Sequence, residues 1–426
     1  MNVKIIPSRL KGTVSAPSSK SLSHRMIIAA ALGSGVSTVT NVTDSEDIKA
    51  TADAMKSIGA QIGHEGTTYR IKGIFSADNN DISGRDAVHI DCGESGSTLR
   101  FIIPIAAALG RTSVFSGRGK LPCRPITPYL REFPKHGVNF DYNDTMPFTL
   151  SGRLTAGEYE LEGDISSQFI TGLLFALPLC EGDSIIRLTS PLQSKPYADM
   201  TAEALKLFGI TVSETGGKND LAYIIKGGQK YTSADTSVEG DYSQAAFFFT
   251  ANAIGSSITV NNLKENSFQG DKAIIDIIDR MGEGMEPFTV DVGDIPDLVP
   301  TLAVLGCFTN GVSRIVNAAR LRIKESDRLT AVANALNAIG GRVEAGEDSL
   351  TIYPIKQFTG GTVDACNDHR IAMAAAVAST RSEAPVTIIG ADAVNKSYPG
   401  FFRDFVDLGG AVIVNDKDFQ TSPAHS

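Results

Sequence analysis

The chain has 426 residues, of which 42% are hydrophobic and 20% charged, a composition that is typical of a globular protein and excludes extensive disorder. Its formal net charge of −9 argues against a protein that coats nucleic acid through a basic surface. Tryptophan is absent and aromatic residues make up only 7%, so a broad platform for stacking bases or sugars is not expected.

A short apolar segment recurs six times along the chain, and each copy predicts a buried helix because it is apolar almost all round. The six segments begin at Met26, Phe101, Phe169, Ala245, Leu298 and Ile371. A β-branched run follows each segment and predicts a strand. These runs begin at Ser37, Thr112, Asp183, Ser256, Gly311 and Ala384.

A second, amphipathic helix is predicted after each of these strands, and it ends at or near a glycine. The glycines are Gly59, Gly137, Gly209, Gly282, Gly340 and Gly409. Short strands follow, as at Thr68 and Ser349. The pattern divides the chain into six units of about 71 residues, and the units must pack together because one alone cannot close a core.

We therefore expect an α/β protein with two lobes of three units each, in which buried helices lie inside and sheets outside. The alternative is a set of unrelated βα units that only look periodic. The residues by themselves do not indicate which units group together.

Small capping residues and acids precede each predicted buried helix, mixed with Lys, Arg or Gln. Capping does not explain Lys20, Arg25, Arg100 or Arg370, because a cation near a helix N-terminus opposes the helix dipole. Free N–H groups together with a cation form an anion site. The alternative is that each arginine reaches solvent or pairs with a neighbouring carboxylate.

Basic residues also precede several of the second helices. Arg124 lies before one of them, and Ser194 precedes a helix that is predicted to begin near Asp199. Lys396 precedes a helix that begins at Phe401. The second helices thus repeat the pattern of the first.

The segment 320–328 is dense in charges of both signs. Lys324 and Arg328 are four residues apart, so they would share a face if this turn is already helical. Ser326 or Asp327 would cap the helix that follows. A solvated surface of ion pairs is the alternative interpretation.

These patterns favour a protein that binds a small, multiply anionic ligand between its lobes, with Asp297 and Glu325 as carboxylates able to move protons. The sequence has neither GxGxxG nor GxxxxGK[ST], so dinucleotide and P-loop nucleotide sites are not supported. Five cysteines without a CxxC pair and six scattered histidines predict neither a disulfide framework nor a metal site.

The expected compartment is the cytoplasm. The N-terminus shows no apolar core of signal-peptide length. The longest apolar runs contain about ten residues, and a membrane-spanning helix needs about 18–20.

At these same residues the sequence resembles the 5-enolpyruvylshikimate-3-phosphate (EPSP) synthases, a family of enolpyruvyl transferases. The resemblance covers the whole chain. The motifs that carry it are KSLSHR at 20–25, ESGSTLR at 94–100, RPI at 124–126, SSQ at 166–168, SKPY at 194–197, Asp297, RIKESDR at 322–328, DHR at 368–370 and Lys396.

The resemblance implies a two-lobed inverse α/β barrel of six βαβαββ repeats. In that fold, residues 1–14 and 236–426 would form lobe I and residues 15–235 would form lobe II. The N-terminal strand would belong with the C-terminal half. The active site would lie in the cleft between the lobes.

The resemblance also implies an activity, EC 2.5.1.19 in the shikimate pathway of aromatic amino acid biosynthesis. The enolpyruvyl group of phosphoenolpyruvate would pass to the 5-hydroxyl of shikimate 3-phosphate through a tetrahedral ketal, with release of phosphate. The expected partners are these two small molecules, with no cofactor, metal, nucleic acid or membrane. A monomer is expected, and the family is the target of the inhibitor glyphosate.

Site residues follow from the resemblance by position. The implied contacts to shikimate 3-phosphate are Lys20, Ser21, Arg25, Ser166, Ser167, Gln168, Ser194, Tyr197, Asp297 and Lys324. Those to phosphoenolpyruvate are Lys20, Gly96, Arg124, Gln168, Arg328, Arg370 and Lys396. Asp297 is implied as the base on the attacking hydroxyl, and Glu325, helped by Lys20, as the group that handles the C3 proton.

Three positions depart from the pattern most common in the family. Arg320 stands where many members have an Asn that contacts substrate, so that role is not carried over. Glu94 replaces a common Asn ahead of Gly96, and Phe101 occupies a place often held by Pro. These changes bear on affinity and on sensitivity to glyphosate.

Three alternative functions agree less well with the sequence. UDP-N-acetylglucosamine enolpyruvyl transferases carry Lys-Asn in place of Lys20-Ser21, and a reactive Cys several residues before the loop Arg, whereas Cys123 directly adjoins Arg124. A non-catalytic repeat protein that binds a phosphorylated metabolite would not need both candidate carboxylates. RNA-terminal-phosphate cyclases use related units, but the chain is acidic and lacks a suitable histidine.

Overall fold

The structure is a computed structural model that describes residues 1–77, 87–217 and 220–414. Two kinds of α-helix alternate along these ranges. In chain order they are α1 (Lys20–Ala31), α2 (Glu46–Ser57), α3 (Gly96–Ala108), α4 (Thr127–Glu132), α5 (Ser167–Ala176), α6 (Lys195–Leu207), α7 (Tyr242–Ala253), α8 (Ala273–Met281), α9 (Val299–Gly306), α10 (Arg328–Asn337), α11 (His369–Ser379) and α12 (Phe401–Asp407).

The odd-numbered helices are the six predicted buried helices. Every residue of α9 and α11 is buried, which their all-round apolar sequences predict. The even-numbered helices bury one face only, and a glycine with positive φ follows each of them near its C-terminus. Gly137 and Gly209, for example, have φ of 82° and 79°, values that glycine adopts without steric cost. Both helix predictions are confirmed.

The strands are short and lie between these helices. They are β1 (Asn2–Ile6), β2 (Lys11–Ser15), β3 (Val36–Thr40), β4 (Gln61–Glu65), β5 (Thr68–Lys72), β6 (Val88–Asp91), β7 (Ser113–Ser116), β8 (Val138–Asp141), β9 (Phe148–Gly152), β10 (Glu158–Leu161), β11 (Ser184–Leu188), β12 (Val212–Thr215), β13 (Ala222–Ile225), β14 (Thr236–Ser237), β15 (Ser257–Asn261), β16 (Thr289–Asp291), β17 (Ser313–Val316), β18 (Val343–Ala345), β19 (Leu350–Ile352), β20 (Gly361–Asp364), β21 (Val386–Ile389) and β22 (Ala411–Val414).

One sheet order recurs through the fold. In the sheet β6-β7-β9-β8, β6 pairs parallel with β7, and β9 pairs antiparallel with both β7 and β8. The chain therefore runs β6–α3–β7–α4–β8–β9, which is a βαβαββ unit. The sheets β10-β11-β13-β12 and β16-β17-β19-β18 have the same arrangement. The predicted α/β fold built from βαβαββ repeats is confirmed.

The fourth unit is shorter than the others. Its sheet consists of β2 and β15 alone, paired in parallel. Turns and irregular backbone, without a strand, connect α8 to β16. The antiparallel strand pair that follows the second helix elsewhere is therefore missing here, and Gly282 and Gly340 lie closer together than the other predicted end glycines.

Three strands pair with strands that are distant from them in the sequence. The N-terminal strand β1 lies between β21 and β22 and is antiparallel to both. The strand β2 pairs with β15, and β14 pairs parallel with β3. The N-terminal strand thus lies with the C-terminal half of the chain.

Buried apolar residues form two separate cores. One core extends from Leu22 to Val238, and the other combines residues 3–14 with residues 246–408. We call the parts of the chain around these cores lobe II and lobe I, respectively. The predicted boundaries at residues 14/15 and 235/236 stay a prediction, and we propose them on the separation of the two cores.

Capping side chains stabilise the helix N-termini that lie around the functional site. The side chains of Ser19, Ser95, Ser166, Asp327 and Asp368 accept hydrogen bonds from backbone N–H groups in the first turns of α1, α3, α5, α10 and α11. Within the described ranges, no helix is long and apolar enough to cross a membrane.

Candidate active site

A cavity of about 70 Å³ lies between the two cores, where these helix N-termini meet. All of the predicted site residues except Lys396 line it. The lining residues are Lys20, Ser21, Arg25, Asp47, Gly96, Ser97, Phe101, Arg124, Ser166, Ser167, Gln168, Ser194, Tyr197, Asp297, Arg320, Lys324, Glu325, Arg328, His369 and Arg370.

Arg328 is the central cation of the cavity, and its side chain is only 1% exposed. Its guanidinium donates to three carboxylates, those of Asp297 at 2.9 Å, Glu325 at 2.7 Å and Asp368 at 2.9 Å. Burial lowers the pKa of Arg328, but these carboxylates outweigh burial and leave the pKa raised. The guanidinium therefore stays charged and fixes the directions of three carboxylates.

Asp297 accepts hydrogen bonds from both lobes. Arg370 donates to it at 2.8 Å, and the Tyr197 hydroxyl of lobe II donates at 3.1 Å. Burial raises the pKa of Asp297, but Arg370, Lys324 and Arg328 outweigh burial and leave the pKa below its usual range. Asp297 is consequently an ionised acceptor at neutral pH.

Glu325 lies in the segment just before α10. Besides Arg328 it faces Arg124 of lobe II, whose Nη1 is 3.9 Å from Glu325 Oε1. Burial raises the pKa of Glu325, but Arg328, Arg124 and Lys324 together hold it well below its usual value. The ionisation of Glu325 therefore depends on cations that would also bind an anionic ligand.

Lys20 is the first residue of α1, and its ammonium is 2.8 Å from Asp47 Oδ2 in α2. Burial lowers the pKa of Lys20, but the carboxylates of Asp47 and Glu325 outweigh it and raise the pKa. Lys20 is therefore a stable cation. Its backbone N–H also donates to Asp241 of lobe I at 3.0 Å.

Gly96 opens α3 in direct contact with Arg124. A Cβ added at Gly96 would lie 2.3 Å from Arg124 Nη1 and 2.6 Å from its Cζ. Any side chain here would displace the guanidinium. The absence of a Cβ thus lets a buried cation pack against the N-terminus of a helix.

Gln168 joins α5 to α3. Its side chain donates to Ser97 Oγ at 2.9 Å and accepts from Arg100 at 2.8 Å. The Arg100 guanidinium lies 4.8 Å from the centre of the Phe169 ring, which holds it by a cation–π contact. Burial lowers the pKa of Arg100 to about 9. Arg100 supports Gln168 and lies outside the cavity lining.

Arg25 is buried between α1 and α6. It donates to the carbonyl oxygens of Ser21 and Tyr197, both at 2.7 Å, and to Thr201 Oγ1 at 2.8 Å. Burial lowers its pKa to about 10, so it remains a cation at neutral pH. Arg25 thus fixes the backbone from which Tyr197 projects.

The helix α6 begins at Lys195, so the predicted start near Asp199 is wrong. Ser194 precedes the helix in the left-handed region, with φ of 58°, and its side chain makes no capping bond. Its hydroxyl instead accepts from Arg320 of lobe I. Arg320 is thus placed at the cavity, although its role was not carried over from the family.

Lys324 has an extended backbone, with φ of −82° and ψ of −160°. The turn before α10 is therefore not helical, so the condition under which Lys324 and Arg328 would share a helical face is not met. Asp327 is the N-cap of α10, as one of the two predicted alternatives has it. Burial lowers the pKa of Lys324 to about 8, and the neighbouring Arg320 and Arg328 act in the same direction.

Lys396 lies beside the cavity instead of lining it. Its ammonium is 2.7 Å from Glu94 Oε2 and donates to the carbonyl oxygen of Asn367 at 2.8 Å. The Asn367 side chain also donates to Glu94, at 3.0 Å. Glu94 therefore connects lobe II to two residues of lobe I.

Sequence reasoning missed several lining residues. Asp47 is one of two acids in the first turn of α2, and only its distance to Lys20 identifies it as a site residue. His369 lines the cavity, and neither ring nitrogen has a hydrogen-bond partner among the described residues. Burial, Lys20 and Arg370 hold its pKa well below the usual value, so the ring is neutral. No group of three His, Cys, Asp or Glu side chains in the described ranges is placed to hold a metal.

Comparison with known proteins places this geometry in a family. A family model described as EPSP synthase (3-phosphoshikimate 1-carboxyvinyltransferase) matches residues 5–405. The 3-phosphoshikimate 1-carboxyvinyltransferase of Clostridium novyi is 45% identical, with 96% of this chain and 98% of that protein covered. The protein of the same name from Clostridium beijerinckii is 44% identical over the same shares of the two chains.

Solved structures show the same fold. The EPSP synthase of Acinetobacter baumannii is 26% identical and superposes with a TM-score of 0.80, covering 97% of this chain and 100% of that one. The enolpyruvyl transferase NikO of Streptomyces tendae superposes with a TM-score of 0.77 at 18% identity, covering 97% and 98%. The latter likeness concerns the fold alone.

Proposed function

The chain belongs to the EPSP synthase family, and we propose that its cleft transfers the enolpyruvyl group of phosphoenolpyruvate to the 5-hydroxyl of shikimate 3-phosphate. The products are the enolpyruvyl ether and inorganic phosphate. The activity is that of 3-phosphoshikimate 1-carboxyvinyltransferase in the shikimate pathway. The observation that carries the proposal is a single cavity in which seven basic side chains surround Asp297 and Glu325. They are Lys20, Arg25, Arg124, Arg320, Lys324, Arg328 and Arg370.

Charge supports this substrate class. Each substrate carries a carboxylate and a phosphate, and a buried guanidinium pairs well with either group. Ion pairs also strengthen as water is excluded and the effective dielectric constant falls. An acidic protein can therefore hold two polyanions, because the local charge of a cleft outweighs the net charge of the chain.

The two substrates are proposed to occupy different parts of the cavity. Shikimate 3-phosphate contacts the side around α1, α5 and α6, through Lys20, Ser21, Arg25, Ser166, Ser167, Gln168, Ser194, Tyr197, Asp297 and Lys324. Phosphoenolpyruvate contacts the side around α3, α10 and α11, through Lys20, Gly96, Arg124, Gln168, Arg328 and Arg370, with Lys396 at the edge. Lys20 and Gln168 serve both.

Addition comes first. Asp297 accepts the proton of the 5-hydroxyl while its oxygen forms a bond to C2 of phosphoenolpyruvate, and C3 receives a proton. The product of this step is a tetrahedral ketal. The lowered pKa keeps Asp297 ionised and able to orient the hydroxyl, and phosphoenolpyruvate that binds Arg328 and Arg370 would raise this pKa and make Asp297 a better proton acceptor.

Glu325 is proposed to exchange the C3 proton. In the structure, Arg328 and Arg124 keep its pKa too low for it to hold a proton at neutral pH. Phosphoenolpyruvate that binds these two arginines neutralises them, and the pKa of Glu325 then rises. The acid therefore forms only when the substrate is bound, and Lys20 is the neighbouring cation that assists Glu325.

Elimination reverses the proton transfer at C3. Glu325 removes a proton from C3, the C2–C3 double bond re-forms, and the C2–O bond to phosphate breaks. Arg124, Arg328 and Arg370 stabilise the departing phosphate. One carboxylate thus serves as acid in the first step and as base in the second.

The lobes must separate to admit the substrates. The side chains assigned to the substrates are largely buried in this arrangement, with Arg124 8% and Arg328 only 1% exposed. The ion pairs between Arg124 and Glu325 and between Glu94 and Lys396 cross from lobe to lobe, so opening must break them.

We further propose that the enzyme acts as a monomer in the cytoplasm. One chain supplies every residue assigned to the two substrates, which supports the monomer. All five cysteines are unpaired thiols, which supports a reducing compartment.

The test is an assay of phosphate release with each substrate alone and with both together. We expect release only with both substrates, together with formation of the enolpyruvyl ether by mass spectrometry. Binding of both ligands without turnover would refute the proposed enzymatic activity. Turnover with UDP-N-acetylglucosamine in place of shikimate 3-phosphate would indicate the alternative enolpyruvyl transferase.

A further inference from the structure

The first turn of α6 in lobe II is hydrogen bonded to lobe I. The N–H of Ser194 donates to the carbonyl oxygen of Gly293 at 2.8 Å. The N–H of Lys195 donates to Asp294 Oδ1 at 3.0 Å. Asp294, 99 residues away in the sequence, therefore occupies the place of a capping side chain at this helix.

The helix has no capping side chain of its own. Ser194 stands at the N-cap position, but its φ of 58° turns it away from the geometry in which serine caps a helix. Its hydroxyl accepts from Arg320 instead. The start of α6 is thus completed by the other lobe.

In the same contact, the backbone of Gly270 packs closely against the ring of Pro196. A Cβ added at Gly270 of lobe I would lie 2.8 Å from Cγ and 2.9 Å from Cβ of Pro196. The pyrrolidine ring is rigid, so it cannot move aside as a long side chain does. Pro196 can reach this position only because residue 270 is glycine.

The same turn carries two residues that the proposed function assigns to shikimate 3-phosphate. Ser194 precedes the helix, and Tyr197 lies in its first turn with its hydroxyl 3.1 Å from Asp297. When the lobes separate, Lys195 loses the acceptor of its N–H and this turn loses its anchor. The position of Ser194 and Tyr197 then depends on closure.

We propose that Asp294 is a positioning residue that orders the start of α6 when the lobes close, and that Gly270 is the glycine that permits this contact. Docking of the turn Ser194–Tyr197 thereby couples lobe closure to the binding of shikimate 3-phosphate. The assignment of that ligand rests on the proposed function. The docking itself rests only on the contacts between the lobes.

Amide hydrogen exchange of the ligand-free protein tests the docking without any substrate. We expect the amides of Ser194, Lys195, Tyr197 and Ala198 to exchange about fivefold faster in Asp294→Ala than in the wild type, because the cap is lost. Asp294→Asn keeps an acceptor oxygen and should stay within about twofold of the wild type. Equal exchange in all three proteins would overturn the proposal.

Kinetics and binding test the coupling. Asp294→Ala should raise KM for shikimate 3-phosphate about fivefold and change KM for phosphoenolpyruvate and kcat by less than about twofold, with recovery in Asp294→Asn. Gly270→Ala should raise the same KM, since its methyl group holds the lobes apart. Glu283→Ala, an exposed acid in the turn after α8, and Gly63→Ala, whose Cβ has free space, are the matched controls.

Two results would contradict the coupling. One is a lower KM for shikimate 3-phosphate in Asp294→Ala, which would mean that the free helix N-terminus attracts the anion better than the docked one. The other is an equal rise of both KM values. A wild-type protein that releases no phosphate refutes the proposed function instead, and leaves the exchange experiment able to decide on the docking.

Discussion

The carboxylate of Glu94 lies 2.7 Å from the ammonium of Lys396, although 302 residues separate them in the chain. The pair joins lobe II to lobe I beside the cavity. Asn367 contacts both members, since its carbonyl oxygen accepts from Lys396 and its amide donates to Glu94. A residue assigned to phosphoenolpyruvate is thus already paired with a carboxylate of the protein.

Replacing Glu94 by glutamine should strengthen the binding of phosphoenolpyruvate. The substrate competes with this carboxylate for Lys396, and a partly exposed ion pair contributes about 1 kcal/mol, or about fivefold in affinity. We expect a fall of that order in KM for phosphoenolpyruvate and little change in KM for shikimate 3-phosphate. Glu65→Gln, an exposed acid in β4, serves as the control, and an unchanged KM in Glu94→Gln would contradict the prediction.

Glutamine at position 325 should abolish most of the turnover and leave binding intact. Glutamine keeps the shape of the side chain and its contact with Arg328, but it cannot exchange the C3 proton. We expect kcat to fall about 100-fold or more, with dissociation constants for both substrates, measured by calorimetry, within about threefold. A wild-type kcat would remove Glu325 from its proposed role.

Binding of shikimate 3-phosphate should weaken above pH 8. Burial lowers the pKa of Lys324 to about 8, so this residue is an ammonium below that pH and a neutral amine above it. We expect KM for shikimate 3-phosphate to rise about tenfold per pH unit above this pKa. Lys324→Met should have a higher KM that no longer shows this rise, whereas Lys206→Met, on the exposed side of α6, should keep the wild-type profile.

The lowered pKa of Lys324 should also affect stability: the free energy of unfolding should increase at high pH, where substrate binding weakens. Unfolding restores the usual value of 10.5, so between about pH 8 and 10.5 the unfolded chain binds more protons at Lys324 than the folded chain does. The contribution of this residue to the free energy of unfolding therefore rises with pH across that window. Comparing urea midpoints of wild type and Lys324→Met at pH 7.5 and 9.5 measures it.

Methionine in place of Arg328 should destabilise lobe I strongly. The change leaves Asp297, Glu325 and Asp368 without their shared guanidinium, and breaking a buried ion-pair group costs about 3–5 kcal/mol. We expect a clear fall in the midpoint of chemical unfolding. Arg403→Met, which removes a 76% exposed partner of Asp404, should change the free energy of unfolding by less than about 1 kcal/mol. Equal effects would show that the buried carboxylates do not depend on Arg328.

The sequence predicts the helices and the repeat well because these depend on local patterns. An all-round apolar segment such as α9 must be buried, and a glycine such as Gly137 ends a helix through its own φ. The motif residues also converge as predicted, since they occupy equivalent helix starts. Periodicity is therefore sufficient for the helices and the repeat, whereas most of the individual site residues follow from the resemblance to the family.

Features that depend on distant residues could not be predicted in this way. The helix α6 begins four residues before the predicted start, where Asp294, from the other lobe, accepts the N–H of Lys195. Lys324 is extended, and the segment before α10 places Glu325 and Arg328 at the cavity without a helical turn. The pairing of Lys20 with Asp47 depends on how α1 packs against α2.

The position of β1 between β21 and β22 affects the order in which the two lobes fold during synthesis. The first strand made is the central partner of the last two strands, so its sheet stays incomplete until residue 414 has been synthesised. The apolar residues of lobe II lie in one continuous stretch of the chain, from Leu22 to Val238, and can collapse while the rest is still being translated. Lobe I, whose contacts join the two ends of the chain, folds last and more slowly.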